Sequence, residues 1–426
     1  MIKMEQREEI FMRFCLPAQV EEALTRLEEA GYAAYTVGGC VRDWVLGQTP
    51  HDYDICTAAP PEEMKRVFRD EKTVETGIRH GTLTVILQGM PLEITAFRVD
   101  GDYKDGRHPE AVRFTDRIEE DLSRRDFTVN AMAYSPKRGL ADPFGGQADC
   151  GGGVIRCVGE AEKRFSEDAL RILRALRFSA RLGFPIEEKT AKALRRMRMR
   201  LAQISRERIA AEMTGLLLGD GAGKTLLGFP EVIAAAIPEL EALTGGPDWA
   251  VTARRTDHCP RREGVRWAAL LCGVNRQDGG AAAREIMRGL KMSGKAVEEV
   301  GALTAWIDSP VTAENAREML MRVGPEGLPS LILLQQADRT ARQPAEAEAA
   351  KRAAASALKK TEALIREGAC YSLAQLAVGG KDMAALGLRG KEIGNALQGL
   401  LLRVVRNELP NDREALVKAA RETPNA

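Results

Sequence analysis

With 426 residues the chain is long enough for two to four domains and an ample apolar core. Its 62 basic residues are balanced by 61 acidic ones, which excludes a wholesale polybasic nucleic-acid binder but leaves room for a local basic face. Eight cysteines without a C-x-x-C pair exclude a zinc ribbon and a disulfide framework, four histidines argue against a His-rich metal site, and with no apolar run of membrane-spanning length the expectation is a soluble, cytoplasmic protein.

A helical pattern over 17–30 ends at Gly31, and short β-type runs follow at 33–37, 53–57, 83–88 and 92–99. In the last run Leu92, Ile94 and Ala96 share one face, and Glu93, Thr95 and Phe97 share the other. From Ser166 onward the texture changes: apolar residues recur at helical spacing and β-branched runs disappear. Pro238, the Gly-Gly-Pro at 245–247 and the stretch 324–329 read as inter-helix turns, and 344–367 reads as one long helix. The predicted class is therefore α+β, a small mixed β-sheet followed by an elongated all-helical remainder.

Two segments of the first part carry chemistry. The turn Gly38-Gly39-Cys40-Val41-Arg42-Asp43 frees backbone N–H groups to approach a phosphate chain, and Arg42 adds a forked cation. A dozen residues later, His51-Asp52-Tyr53-Asp54 sets two carboxylates one residue apart on an extended segment, where they point the same way. Like charges so close repel unless a cation lies between them, and Mg²⁺ suits all-oxygen ligands shared with substrate phosphates. Taken singly, a Gly-Gly turn or a D-x-D is more often structural. Together and in order they favour metal-assisted phosphate chemistry. Glu93 faces away from the Leu92/Ile94/Ala96 side and is the candidate third carboxylate; the bland alternative is an exposed charge on an edge strand.

Further along, Arg124-Arg125-Asp126 reads from pattern alone as a charged helix N-terminus. Ser166 is a plausible N-cap, with Glu167 and Asp168 in the first turn and Arg171 three residues after Asp168 on the same face. By spacing alone that is an i,i+3 ion pair worth about 0.2–0.5 kcal/mol. Arg174, Arg177 and Arg181 continue a cationic stripe, and Arg195, Arg196, Arg198 and Arg200 with Arg254, Arg255, Arg261 and Arg262 give local positive charge suited to phosphate backbones or to exposed helix faces.

The order of these motifs resembles the class II tRNA nucleotidyltransferases, the CCA-adding enzymes of the polymerase-β-like superfamily. The resemblance runs through G-G-C-V-R-D, H-D-Y-D-I-C-T, R-R-D-F-T-V-N-A-M-A at 124–133, D-P-F-G-G at 142–146, E-D-A-L-R at 167–171 and I-S-R-E-R-I at 204–209. Val129 stands where the family more often has isoleucine and Cys150 where leucine usually follows the aspartate; neither carries chemistry.

The resemblance implies a catalytic head at 1–152, a helical neck that recognises the base at 153–214, a helical body at 215–340 and a tRNA-binding helical tail at 341–426. It implies Asp52, Asp54 and Glu93 as catalytic Mg²⁺ ligands. Gly38, Gly39 and Arg42 would cradle the triphosphate with Asp43 as orienting partner, while Arg125, Asp126 and Asn130 meet ribose hydroxyls and phosphates. Asp168 and Arg171 would stand in for a template base, positioned by Glu167, with Arg174 and Arg177 near the phosphates. Arg195 and Arg196, and the tail turn carrying Gly387, Arg389, Gly390 and Lys391, would contact tRNA; the tail also holds the glycine turn at 379–382. The loop 102–109, with Tyr103, Lys104, Gly106 and Arg107, would lie beside the site. The implied partners are tRNA, CTP and ATP. A poly(A) polymerase or a cytidine-only relative is the near alternative, which Thr76-Gly77-Ile78-Arg79-His80-Gly81-Thr82 and the 102–109 loop speak against. An inactive RNA-binding protein is the distant one.

Overall fold

The computed structural model describes residues 14–101, 112–275, 278–312 and 315–422. The expected loop 102–109 lies outside the described residues. The chain divides into two compact units, Met1–Ser205 and Arg206–Ala426.

The first unit is built on a sheet of strands β1 (Ala34–Val37), β2 (Asp54–Thr57), β3 (Lys72–Val74), β4 (Thr82–Leu87), β5 (Met90–Ala96), β8 (Ala133–Ser135) and β9 (Gly139–Ala141), with β6 (Arg98–Asp100) and β7 (Val112–Phe114) paired as a separate ribbon. The order is β3-β4-β5-β2-β1-β8-β9; β2 and β5 run parallel and the other pairs antiparallel, so the sheet is mixed. Glu93 thus sits on an interior strand, not an edge. The expected single run 92–99 breaks at Phe97, which is fully buried and separates β5 from the ribbon.

Alternation decides the two faces. Ile55, Leu83, Val85, Leu92, Ile94 and Ala96 enter one core with Val20, Leu24 and Leu27 of helix α1 (Ala18–Glu29) and Met64 of α3 (Pro61–Val67). At about 1.5–3 kcal/mol per fully buried aliphatic side chain, that face anchors the strand register. Tyr35, Val37, Cys56, Phe97 and Ala133 point to the other side. Here α4 (Ile118–Ser123) leads into a 3-10 turn, Thr128–Asn130, against which α2 (Gly39–Val45) and α5 (Gly146–Gly152) pack. Gly146 permits that packing, because a Cβ there would stand 2.2 Å from the Thr128 carbonyl. Helices α6 (Ala161–Glu167), α7 (Leu170–Leu182) and α8 (Glu188–Met197) complete the unit.

The second unit is helical among the described residues. Its longest helix, Ala316–Arg342, breaks at Gly324 (φ 74°, ψ 172°), so the turn expected over 324–329 contracts to one residue with Pro325 restarting the helix. The long helix expected over 344–367 is Ala347–Arg366 behind a 3-10 turn. No described helix is long and apolar enough to cross a membrane.

Candidate active site

The site grows from the end of β1. Gly38 takes φ 80°, a conformation that an L side chain rarely adopts, and turns the chain into α2. Its missing Cβ also leaves room for Arg125, whose Nη1 would lie 3.2 Å away. Arg42, one turn in, is only 3% exposed. Its Nε and Nη2 donate to Asp43 Oδ1 at 2.9 and 2.6 Å, and its Nη1 donates to Asn130 Oδ1 at 2.7 Å. Asn130 Nδ2 in turn donates to Asp126 Oδ1 at 3.4 Å, and Arg174 Nε donates to Asp126 Oδ2 at 2.7 Å. A continuous polar chain therefore links the glycine turn, the R-D-F-T-V-N segment and α7. Burial pushes the Asp126 carboxyl up, but the Arg174 and Arg171 guanidiniums and the Arg174 hydrogen bond outweigh it and hold the group below the usual range. It is a carboxylate built to stay charged.

The acids line up on the same side of the sheet. Parallel pairing sets Asp54 opposite Glu93 across neighbouring strands about 4.8 Å apart. Tyr53 packs toward the apolar core, so Asp52 and Asp54 flank it on the exposed side, although Asp52 precedes β2 and is not within the strand. Desolvation raises the Asp54 pKa despite the strand-end exposure; Arg125 opposes the rise, and Glu93 and Asp52 add to it. Asp54 thus feels the charge of Glu93 and Asp52. No three acids, histidines or cysteines among the described residues form a ready-made metal cage. Asp54 and Glu93, with Asp52 ahead of the strand, offer oxygen donors open to solvent, the donor chemistry that suits Mg²⁺, an ion that keeps waters and substrate phosphates in its shell.

Two expectations from sequence pattern change here. Arg124 is not at a helix N-terminus but closes α4 at its C-cap, and Arg125 leads from it toward the 3-10 turn. Ser166 is not an N-cap. It lies inside α6, whose C-cap is Asp168, because Asp168 in an extended conformation breaks the helix and uses its own Oδ1 to accept the Leu170 N–H at 2.9 Å. Arg171 then reaches back across the break. Its Nη1 donates to Glu167 Oε2 at 2.6 Å and to the Arg164 carbonyl at 3.1 Å, and its Nη2 donates to the Arg124 carbonyl at 3.1 Å. Five N–H donors less these three leave the Nε–H and one Nη2–H with no partner among the described residues.

Pattern reading missed two supports of this site. Asp121, fully buried, accepts from Arg124 Nε and Nη2 at 3.1 and 2.7 Å and from Arg125 Nη2 at 3.3 Å. Its i,i+3 and i,i+4 spacing to the two arginines was the available signal. Arg164 donates to Glu167 Oε1 at 2.5 Å, so the carboxylate that grips Arg171 is itself gripped, again at i,i+3.

The arginine patches divide. Arg196 is exposed and pairs with Glu162 at 3.1 Å, while Arg195 is half-buried. Arg255 cannot face RNA: it is fully buried, donating to Asp338 at 2.7 Å, the Ala269 carbonyl and Thr252 Oγ1. An arginine in a helical run is indistinguishable by spacing from its exposed neighbours, and only the tertiary partner Asp338 reveals its place. In the tail, Gly387 (φ 92°) and Gly390 (φ 54°) turn the chain into helix Lys391–Val405, with Arg389 and Lys391 exposed. At 379–382, the Gly379 N–H is already taken by Asp382 Oδ2 at 2.8 Å.

A sheet that sets a glycine turn and a buried arginine beside paired carboxylates is the head of a nucleotidyltransferase. Residues 34–156 match the family described as "Poly A polymerase head domain", residues 183–241 "Probable RNA and SrmB- binding site of polymerase A", and residues 260–420 "tRNA nucleotidyltransferase domain 2 putative". The CCA-adding enzyme of Leuconostoc mesenteroides subsp. mesenteroides is 37% identical over 94% of this chain and 95% of that protein. That of Geobacillus stearothermophilus is 38% identical over 92% and 94%. The structure of the Bacillus stearothermophilus CCA-adding enzyme in complex with CTP matches with a TM-score of 0.77 at 33% identity, covering 95% of this chain and 96% of that one. The chain belongs to the CCA-adding enzyme family.

Proposed function

We propose that this protein adds C, C and A to the 3′ end of tRNA without a nucleic-acid template, using CTP and ATP and releasing pyrophosphate, in the cytoplasm. The observation that carries the reading is the polar chain from Arg42 through Asn130 and Asp126 to Arg174, which joins the acid-bearing sheet to the helix of Arg171.

Asp52, Asp54 and Glu93 would hold Mg²⁺, which when bound supplies activation of the attacking 3′-oxygen and neutralises charge on the departing pyrophosphate. Gly38 and Gly39 give the triphosphate its close approach, with Arg42, fixed by Asp43, as its cation. Arg125, Asp126 and Asn130 serve ribose and phosphate, and Arg174 and Arg177 the phosphates. Asp168 and Arg171 read the base. Cytosine offers an acceptor at N3 beside its amine, and adenine an acceptor at N1 beside its amine; Arg171 only donates and ionised Asp168 only accepts. Uracil and guanine invert that order, and two desolvated mismatches at about 1–3 kcal/mol each discriminate by roughly tens to thousands-fold. The two donors of Arg171 that have no partner among the described residues support this role.

Residues 1–152 would form the catalytic head, 153–214 the base-reading neck, 215–340 the body and 341–426 the tail. Arg195 and Arg196, and Gly387, Arg389, Gly390 and Lys391, would meet tRNA phosphates in a sequence-independent way. The test is incorporation on tRNA lacking its 3′ terminus with Mg²⁺, CTP and ATP: addition of C, C and A followed by arrest. Adenosine tracts on unrelated RNA, arrest after two cytidines, or binding without incorporation would each replace the reading.

A further inference from the structure

Three of the cations assigned to the phosphates share an aromatic neighbour that has no polar group. The guanidinium carbons of Arg42, Arg174 and Arg177 lie 5.6, 5.4 and 4.4 Å from the centroid of the Phe178 ring. Phe178 is 5% exposed, and Phe127, fully buried, packs against it edge-on at 5.7 Å and 76°, which fixes the plane of the ring. Arg42 belongs to α2 and the other two to α7, so the ring touches both elements that the polar chain through Asp126 also joins.

We propose that Phe178 is a positioning residue for the nucleotide triphosphate: its ring gathers Arg42, Arg174 and Arg177 into one cationic cluster before the substrate arrives. The proposal rests on the reading that these arginines meet the phosphates. Three like charges in one place repel, and something must offset that repulsion without consuming it. Asp43 and Asp126 already pair with Arg42 and Arg174, and a further carboxylate in the place of the ring would neutralise the cluster and compete with phosphate for the N–H groups that remain. An aromatic ring attracts guanidinium through its quadrupole, carries no formal charge, and lets the planar fork keep its in-plane donors. Asp43 and Asp126 each fix one arginine of the cluster by hydrogen bonds; the ring is what all three have in common.

The test compares the full-length parent with F178L, F178Y and the reference variant R174Q, each shown to be folded by thermal melting. Three constants are read in the incorporation assay: KM for CTP, KM for tRNA, and the inhibition constant of cytidine, which has the base but no phosphate. F178L is expected to raise KM for CTP by about threefold to thirtyfold, the range of a lost cation–π contact, while leaving KM for tRNA and cytidine inhibition as in the parent. F178Y, which keeps the ring, restores KM for CTP. Should F178L not fold, F178M, similarly apolar and ringless, takes its place. An unchanged KM for CTP in the leucine variant, a proportional loss of cytidine inhibition, or no rescue by tyrosine overturns the proposal. If R174Q also leaves KM for CTP unchanged, the phosphate assignment itself falls, and the platform with it.

Discussion

Replacing Glu167 by glutamine probes the reading of the base most directly. Each carboxylate oxygen has one guanidinium: Oε1 takes Arg164 at 2.5 Å and Oε2 takes Arg171 at 2.6 Å. Glutamine has the same shape but a single carbonyl, so one guanidinium must face an NH₂ group, donor against donor. The three side chains are only 11%, 14% and 12% exposed, so water gives little relief. A buried charged donor left without its acceptor costs about 1–3 kcal/mol, a factor of about 5 to 150 in how often Arg171 holds its place. The assay is kcat/KM for CTP, ATP, UTP and GTP on the same tRNA, taken as ratios so that general loss of activity cancels. E167Q should lower the ratio of CTP to UTP by about that factor, and E167Q combined with R164M should recover part of it, because the carbonyl is then free to turn to Arg171. A folded E167Q with the parent's ratio, or no recovery in the double variant, would refute the idea that Glu167 sets the base-reading geometry.

Four further expectations concern its supports. Asp52→Ala should abolish incorporation while tRNA affinity, read by gel shift, stays near that of the parent; equal loss of both would count against a metal role. Gly38→Ala forces a Cβ into φ 80° within 3.2 Å of Arg125, and should cost about 1–3 kcal/mol by thermal melting and raise KM for both nucleotides. Burial pushes the Asp121 carboxyl up, but Arg124, Arg125 and the Arg98 N–H pull it below its ordinary value; its stabilisation is therefore complete above about pH 4 and lost as pH falls through the lower folded value. Asp121→Asn should flatten the acid limb of the melting profile, and an unchanged limb would show that Asp121 does not contribute to it. Arg255→Met should lower stability by up to about 3–5 kcal/mol, reduced because Arg342 still pairs with Asp338 at 3.0 Å, with tRNA affinity unaltered in folded protein.

Much of the head was legible because its chemistry is written in short, ordered stretches. The glycine turn, the D-x-D and the alternation around Glu93 each follow from local rules, and the parallel register joins Asp54 to Glu93 as those rules allow. The helical stretch of α6 and α7 was legible in composition but not in geometry. Asp168 looked like a first-turn acid after a Ser166 cap, and only the structure shows it breaking the chain between α6 and α7. Helical spacing cannot foretell that break, because Asp is tolerated in a first turn and equally able to cap the following one. The fate of Arg255 was likewise invisible, since its partner Asp338 lies 83 residues away.

That division has a physical origin. Where a residue acts on the substrate, its type and neighbours are constrained together, and the constraint is compact enough to read along the chain. Where a residue acts on another residue, any partner of the right chemistry will serve, and distance along the chain is no guide. In the proposed reading Arg171 illustrates both: its identity as a donor fork follows from what a base edge requires, but what holds it still is a carboxylate one turn back, a carbonyl of Arg164 and a carbonyl of Arg124, 47 residues away. A fixed reading surface needs such supports from more than one element, since a fork held only by its own helix would turn with every rotamer change. The supports of Arg171 come from two elements besides its own helix, α6 and the C-cap of α4, and in the proposed reading they aim the two N–H groups that have no partner among the described residues.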